Sequence, residues 1–172
     1  MRNKFFLIFL VIIFLAIFFI LFEGLKNSNF YTPNLSKEKN IPSFNAYIFE
    51  TKNEINSETF FLKDKFYLIN IWASWCIPCQ KEHSFLVDLS KIKNIEIIGI
   101  NYKDKKKNAN NFLKKLGNPY KFILEDRDGI ISIEWGAYGV PETFLVYEKK
   151  IIKKITGPLN ESSVLEIKKL LK

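Results

Sequence analysis

Cysteine and histidine are scarce: the 172-residue chain holds two of the first and one of the second. A structural zinc site takes four ligands, usually as two separated pairs, whereas Cys76, Cys79 and His83 lie in one short stretch and the chain has no other Cys or His. A disulfide between distant segments is excluded as well. Cys76 and Cys79 can close only a tiny loop, which constrains little unfolded-state entropy. Arginine is almost missing, with Arg2 and Arg127 alone among 26 basic side chains, a compositional bias rather than a functional signal. No internal repeat and no nucleic-acid-binding motif accompany the net charge of +8. Only Lys103-Asp104-Lys105-Lys106-Lys107 is a dense cluster. The other lysines are interspersed with acids, which describes a solvated surface and not a nucleic-acid partner.

The N-terminus supplies the first positive feature. Met1-Arg2-Asn3-Lys4 is a short basic leader, and Phe5 through Phe22 is unbroken apolar sequence. At 1.5 Å rise per residue it reaches roughly 27 Å, close to the ~30 Å hydrocarbon core of a bilayer. No Ala-x-Ala follows, and Phe18-Phe19-Ile20-Leu21-Phe22-Glu23 is a poor cleavage site, so an uncleaved anchor over residues 1–23 is expected. Arg2 and Lys4 belong in the cytoplasm by the positive-inside rule, which puts the rest of the chain outside: in a bacterium, on the periplasmic side of the inner membrane. Residues 24–40 are polar, contain Pro33 and lack apolar periodicity, as a tether does. Residues 41–172 are long enough for one domain of ordinary size.

Within that domain the apolar pattern predicts alternating elements. Ala46–Phe49 and Glu58–Leu62 are expected to be short strands ahead of the core. Phe66–Trp72 is almost continuously apolar, which suits a central strand covered on both faces. A helix then runs from Cys79 to about Ser90 with Phe85, Leu86 and Leu89 inward, and Pro78 is tolerated in its first turn, where the missing N–H has no partner to lose. A strand over Ile95–Ile100 follows, then a helix over Asn108–Leu116 ended by Gly117. Next come a strand over Tyr120–Leu124, a short helix over Ile130–Trp135, and a hairpin of Thr143–Tyr147 with Ile151–Ile155. A last helix, Glu161–Leu171, carries Val164, Ile167, Leu170 and Leu171 on one side. This order predicts an α/β sandwich around a mixed sheet.

Both cysteines fall where a buried strand gives way to a helix, in Trp72-Ala73-Ser74-Trp75-Cys76-Ile77-Pro78-Cys79. A Cys-x-x-Cys in that context is a redox motif. The attacking species in thiol-disulfide exchange is the thiolate. Cys76 at the helix start lies beside unpaired N–H groups and the positive end of the backbone dipole, both of which favour the thiolate. Cys76 is therefore expected to be the nucleophile, and Cys79, one turn further on, the resolving thiol. No cofactor is required beyond the redox-active pair itself, and no metal is expected.

A wider set of residues gives this site a resemblance. Glu82-His83, Asn101-Tyr102-Lys103-Asp104, Leu116-Gly117-Asn118-Pro119-Tyr120 and Tyr138-Gly139-Val140-Pro141-Glu142-Thr143-Phe144, together with the Trp72–Cys79 stretch, resemble the DsbE/CcmG thiol:disulfide interchange proteins. These are membrane-anchored members of the thioredoxin superfamily that serve cytochrome c maturation. The resemblance covers roughly residues 41–160 and implies a thioredoxin-like fold. It implies that Pro141 is a cis-proline beside the active-site disulfide, and that Glu82 and Glu142 are acids near the site whose negative charge raises a thiol pKa. Taken singly, each would more often be a solvated surface charge. Asn70 stands where thioredoxins carry a buried acid, which agrees with the DsbE/CcmG pattern. The implied partners are a membrane electron donor of the DsbD or CcdA type and, as substrate, apocytochrome c or a haem-ligation protein. Two alternatives remain at this point: a copper-binding assembly chaperone using Cys76, Cys79 and His83, and a thioredoxin-like reductant of another extracytoplasmic target.

Overall fold

A computed structural model describes residues 2–26, 39–62 and 64–171. Two compact units divide the chain, with helix α1 (Arg2–Lys26) in the first and every later element in the second. Lys4–Glu23 of α1 has a mean hydropathy of 3.5 and is long and apolar enough, by length and composition, to cross a membrane. Most of the expected tether, residues 27–38 with Pro33, lies outside the described residues. Its end does not: Lys39–Asn40 form a short strand, β1, paired antiparallel with Ile151 and Lys150.

The second unit is built on one eight-stranded mixed sheet. Its strands after β1 are β2 (Asn45–Ile48), β3 (Glu54–Asn56), β4 (Phe66–Trp72), β5 (Ile95–Tyr102), β6 (Phe122–Asp126), β7 (Glu142–Tyr147) and β8 (Lys150–Thr156). The spatial order is β1-β8-β7-β4-β5-β6-β2-β3. The three strands β4, β5 and β6 run parallel, and β7 lies antiparallel to β4 on its other side. The helices are α2 (Ser57–Phe60), α3 (Ile77–Leu89), α4 (Lys106–Leu116), α5 (Ile130–Glu134) and α6 (Glu161–Leu170).

Strand alternation in β4 sorts the core into two layers. Leu68 and Trp72 point to the face where Leu86 and Leu89 of α3, Phe112 of α4 and Ile167 of α6 pack. Tyr67, Ile69 and Ile71 point to the other, with Phe44, Phe61, Trp135 and Phe144. Asn70 shares the parity of Leu68 and Trp72, so this one polar residue of a buried strand is directed beneath α3.

β4 spans the predicted residues, and the other core elements agree within a few positions at their ends. Glu58–Leu62 is a difference in kind: a single helical turn, α2, replaces the expected strand. The turn is stabilised by Asn56, whose side-chain oxygen accepts the Glu58 N–H at 2.9 Å, and Phe61 fills the second core layer where a ladder partner was expected. The strand expected from Tyr120 begins only at Phe122, because the Tyr120 N–H bonds the Asn118 side chain at 3.0 Å and its ring stacks on Trp72. Leu116 and Leu170, expected on inner helix faces, are exposed at the ends of α4 and α6.

Candidate active site

The chain leaves β4 at Trp72, turns through Ser74 and Trp75, and starts α3 with Cys76 as the N-cap. Cys76 has extended backbone, φ −87° and ψ 108°, and its Sγ accepts the Cys79 N–H at 3.1 Å. A sulfur thus takes the place usually held by a capping oxygen. Pro78 sits in the first turn, as its missing donor allows. Cys76 and Cys79 form a disulfide with Cα atoms 5.3 Å apart. Both are almost fully buried, at 3% and 2% exposure, while Trp75 and Ile77 beside them are open to solvent.

Asp104, part of the quoted Asn101–Asp104 stretch but given no role there, anchors this turn. It accepts the Ser74 N–H at 2.6 Å and the Ser74 hydroxyl at 2.8 Å. The Trp75 indole donates to the Lys103 carbonyl at 3.2 Å. β4 and β5 are parallel neighbours, so the ends from which these two loops depart lie side by side. The dense lysine cluster consequently begins at the lip of the disulfide.

Pro141 is buried and follows a cis Val140–Pro141 bond. The next residue, Glu142, is registered against Ile71, which sets Pro141 beside the end of β4. Glu142 itself is 1% exposed rather than solvated. One carboxylate oxygen accepts the Tyr138 N–H at 2.9 Å and the other lies 2.8 Å from Nζ of the partly buried Lys154. This pairing compensates its negative charge locally, which a bare acid near the thiols would not experience.

Glu82 is likewise 1% exposed, on the inner face of α3. Its Oε1 accepts from Asn70 Nδ2 at 2.8 Å and its Oε2 from the Leu159 N–H at 2.7 Å. Burial pushes its pKa up to about 7, against the two hydrogen bonds that favour the charged form. Behind it, the Tyr120 hydroxyl donates to Asn70 Oδ1 at 2.8 Å, and Asn70 Nδ2 also reaches Thr143 Oγ1 at 3.1 Å. Burial, followed by the charge of Glu82, raises the Tyr120 pKa well above its ordinary value. His83 Nε2 donates to the Gly117 carbonyl at 2.9 Å and its ring meets Phe112 edge-on, so this nitrogen is already engaged. Burial lowers the His83 pKa, and the Gly117 bond partly offsets it. Among the described residues no cluster of three or more His, Cys, Asp or Glu could hold a metal ion.

Sequence reasoning quoted Tyr120 and Thr143 without giving them a role, and missed Lys154 and the Leu159 N–H as parts of the site. The signal available for this network was Asn70, a polar residue inside an apolar run.

The elevated Glu82 pKa has a stability consequence. Between about pH 4.5 and 7 the folded protein holds a proton that the unfolded chain has released. The Glu82 contribution is therefore fully present below the unfolded value and is lost as pH rises through about 7. At ~1.4 kcal/mol per pKa unit the loss is on the order of 3 kcal/mol. Urea unfolding of the oxidised protein at several pH values is expected to show this decline, and Glu82→Gln to remove it. Equal slopes in both proteins would mean that Glu82 titrates alike folded and unfolded.

A mixed sheet with a Cys-x-x-Cys at the junction of its central strand and a helix, and a cis-proline beside that junction, defines a thioredoxin-like thiol-disulfide oxidoreductase. The comparisons agree. Residues 36–171 match the Redoxin family model. A thiol:disulfide interchange protein of Chlorobium tepidum, described as a thioredoxin family protein, has the same fold, with a TM-score of 0.64 at 22% identity over 80% of this chain and 99% of that one. Thiol:disulfide interchange protein DsbE of Tatumella citrea is 35% identical over 93% of this chain and 89% of its own length. Thiol:disulfide interchange protein CycY of Rhizobium leguminosarum is 45% identical over 61% of this chain and 57% of its own. The chain belongs to the DsbE/CycY family of thiol:disulfide interchange proteins.

Proposed function

We propose that this protein is a membrane-anchored disulfide reductase of cytochrome c biogenesis, held at the periplasmic face of the inner membrane by residues 1–23. The observation that carries the reading is the Cys76 sulfur at the N-cap of α3, receiving a backbone N–H beside an exposed apolar rim. A donor at that position stabilises a thiolate more than a thiol. Cys76 S⁻ attacks one sulfur of a substrate disulfide, forming a mixed disulfide and expelling the other sulfur as a thiolate. Cys79 then loses its proton and attacks Cys76 Sγ, which releases the second substrate thiol and closes the Cys76–Cys79 disulfide. Two electrons pass to the substrate.

Glu82, one turn further along α3 than Cys79, is the base for that second proton, with a pKa of about 7 that suits transfer near neutrality. Pro141 borders the docking place of the substrate chain, and Glu142 with Lys154 holds the preceding segment in place. An extracytoplasmic dithiol tends to become oxidised. The reading therefore requires re-reduction through the membrane by a donor of the DsbD or CcdA type. The substrate is apocytochrome c, or a haem-ligation partner, whose cysteines must be free to bond haem.

Cys79→Ala removes the resolving thiol and leaves Cys76 able to attack. In cells, this variant is expected to accumulate a mixed disulfide through Cys76, and mass spectrometry of the captured partner to return apocytochrome c or a haem-ligation protein. Capture only of unrelated proteins would overturn the pathway, and capture through Cys79 in Cys76→Ala would reverse the two roles.

A further inference from the structure

We infer that Tyr120 is a positioning residue for Glu82, acting through the Asn70 carboxamide, whose orientation it locks. The inference rests on the proposed role of Glu82 as the base for Cys79.

A carboxamide has one end that only donates and one that only accepts, and a half-turn about its last bond exchanges them. Asn70 is buried at 0% exposure between three polar groups from different parts of the fold. The Tyr120 hydroxyl donates to Oδ1 at 2.8 Å, while Nδ2 gives one hydrogen to Glu82 Oε1 at 2.8 Å and the other to Thr143 Oγ1 at 3.1 Å. The second Glu82 oxygen takes the Leu159 N–H, a donor that cannot be reversed. In this arrangement Glu82 meets donors on both oxygens, which is the environment of a carboxylate.

The half-turned amide would present Oδ1 to Glu82, which then needs a proton of its own to bond it. It would also present Nδ2 to the Tyr120 oxygen, leaving the phenol hydrogen facing a donor. Tyr120 is buried, and a buried unpaired donor costs about 1–3 kcal/mol. The phenol therefore penalises the half-turned amide and, with it, the protonated acid. Without the hydroxyl, the amide is free to turn whenever Glu82 takes up a proton.

The surroundings simplify the titration. Of the groups bonded to Glu82, Asn70 from β4 and the Leu159 N–H ahead of α6 carry no charge. Thr143 from β7 is uncharged too. Among the described residues the titratable groups beside it are Tyr120, which stays neutral across the physiological range, and the buried Cys79 and His83 on α3 itself. In the oxidised protein Cys79 does not titrate. The His83 pKa is lowered by burial.

The test is a pH titration of the Glu82 carboxyl in the oxidised full-length protein, using carboxyl-13C glutamate and assigning the resonance by its loss in Glu82→Gln. Tyr120→Phe, which deletes only the hydroxyl, is expected to raise the midpoint by about one pH unit, a tenfold change in protonation ratio. Asn70→Leu removes the relay and is expected to raise it by itself. In that background Tyr120→Phe should move it no further, since the two residues act in series. An unmoved midpoint in Tyr120→Phe overturns the inference. An equal shift by Tyr120→Phe with and without Asn70 overturns it too, because the phenol would then act on Glu82 directly. The titration needs no substrate, so its failure is separate from that of the reductase reading, which falls if Cys79→Ala captures no partner.

Discussion

Cys76→Ala is expected to abolish thiol-disulfide exchange altogether, while leaving the fold in place. The two cysteines are equally inaccessible, so exposure does not rank them; position does. Cys76 caps α3, its sulfur takes the Cys79 N–H, and Trp75 and Ile77 expose their apolar surfaces on either side. Removing it leaves the Cys79 thiol inside the first helical turn, in an apolar setting that favours the neutral thiol and hides it from a substrate disulfide. Alanine at the cap forfeits one hydrogen bond to sulfur and about 1 kcal/mol of helix stability, too little to unfold a domain of this size. The check is reduction of a disulfide-containing peptide by the pre-reduced full-length variant. Exchange at the wild-type rate would show that Cys79 can attack unaided and would remove the basis of the assignment.

The second large effect is on stability. Lys154→Met is expected to cost about 3–5 kcal/mol, much of the ~5–15 kcal/mol that holds a typical domain together. Lys154 Nζ lies 2.8 Å from Glu142 Oε2, and the two side chains are 9% and 2% exposed. The same ammonium donates to the Gly136 carbonyl at 2.7 Å and lies 4.3 Å from the Tyr138 ring centroid. Glu142 Oε2 has no hydrogen-bond partner besides this cation, so an apolar replacement strands a buried charge. A cost of that size lowers Tm by roughly 10–15 °C. The companion change Glu142→Gln is expected to restore much of the loss, since it removes the uncompensated charge. A single variant that melts like the wild type would mean that water, not Lys154, solvates Glu142. Exchange activity should fall as well, because the pair secures Gly136–Tyr138 just ahead of Pro141.

The sequence by itself determined what local pattern can determine. β4 was legible because a run that is apolar at every position but Asn70 suits a strand buried on both faces, and the start of α3 because Pro78 fits a first turn and little else. The position of Cys76 and Cys79 at that junction follows from the order of residues alone. So does the membrane-length helix, whose apolar run needs no partner to be recognised. Glu58–Leu62 shows the limit: its aromatic residues satisfy a strand pattern, yet Asn56 caps a helical turn and the aromatic side chains fill the second core layer instead.

Tertiary structure alone decided the electrostatics of the site. Asn70, Tyr120, Glu82 and Leu159 are far apart in sequence, and no periodicity joins them. The same holds for Glu142 and Lys154, which come together only because β7 and β8 pair and their side chains share one buried face. Whether an acid is a solvated surface charge or a buried base depends on how much water the fold removes from it and which donors replace that water. Those are properties of the assembled sheet and helices, and an isolated segment does not possess them.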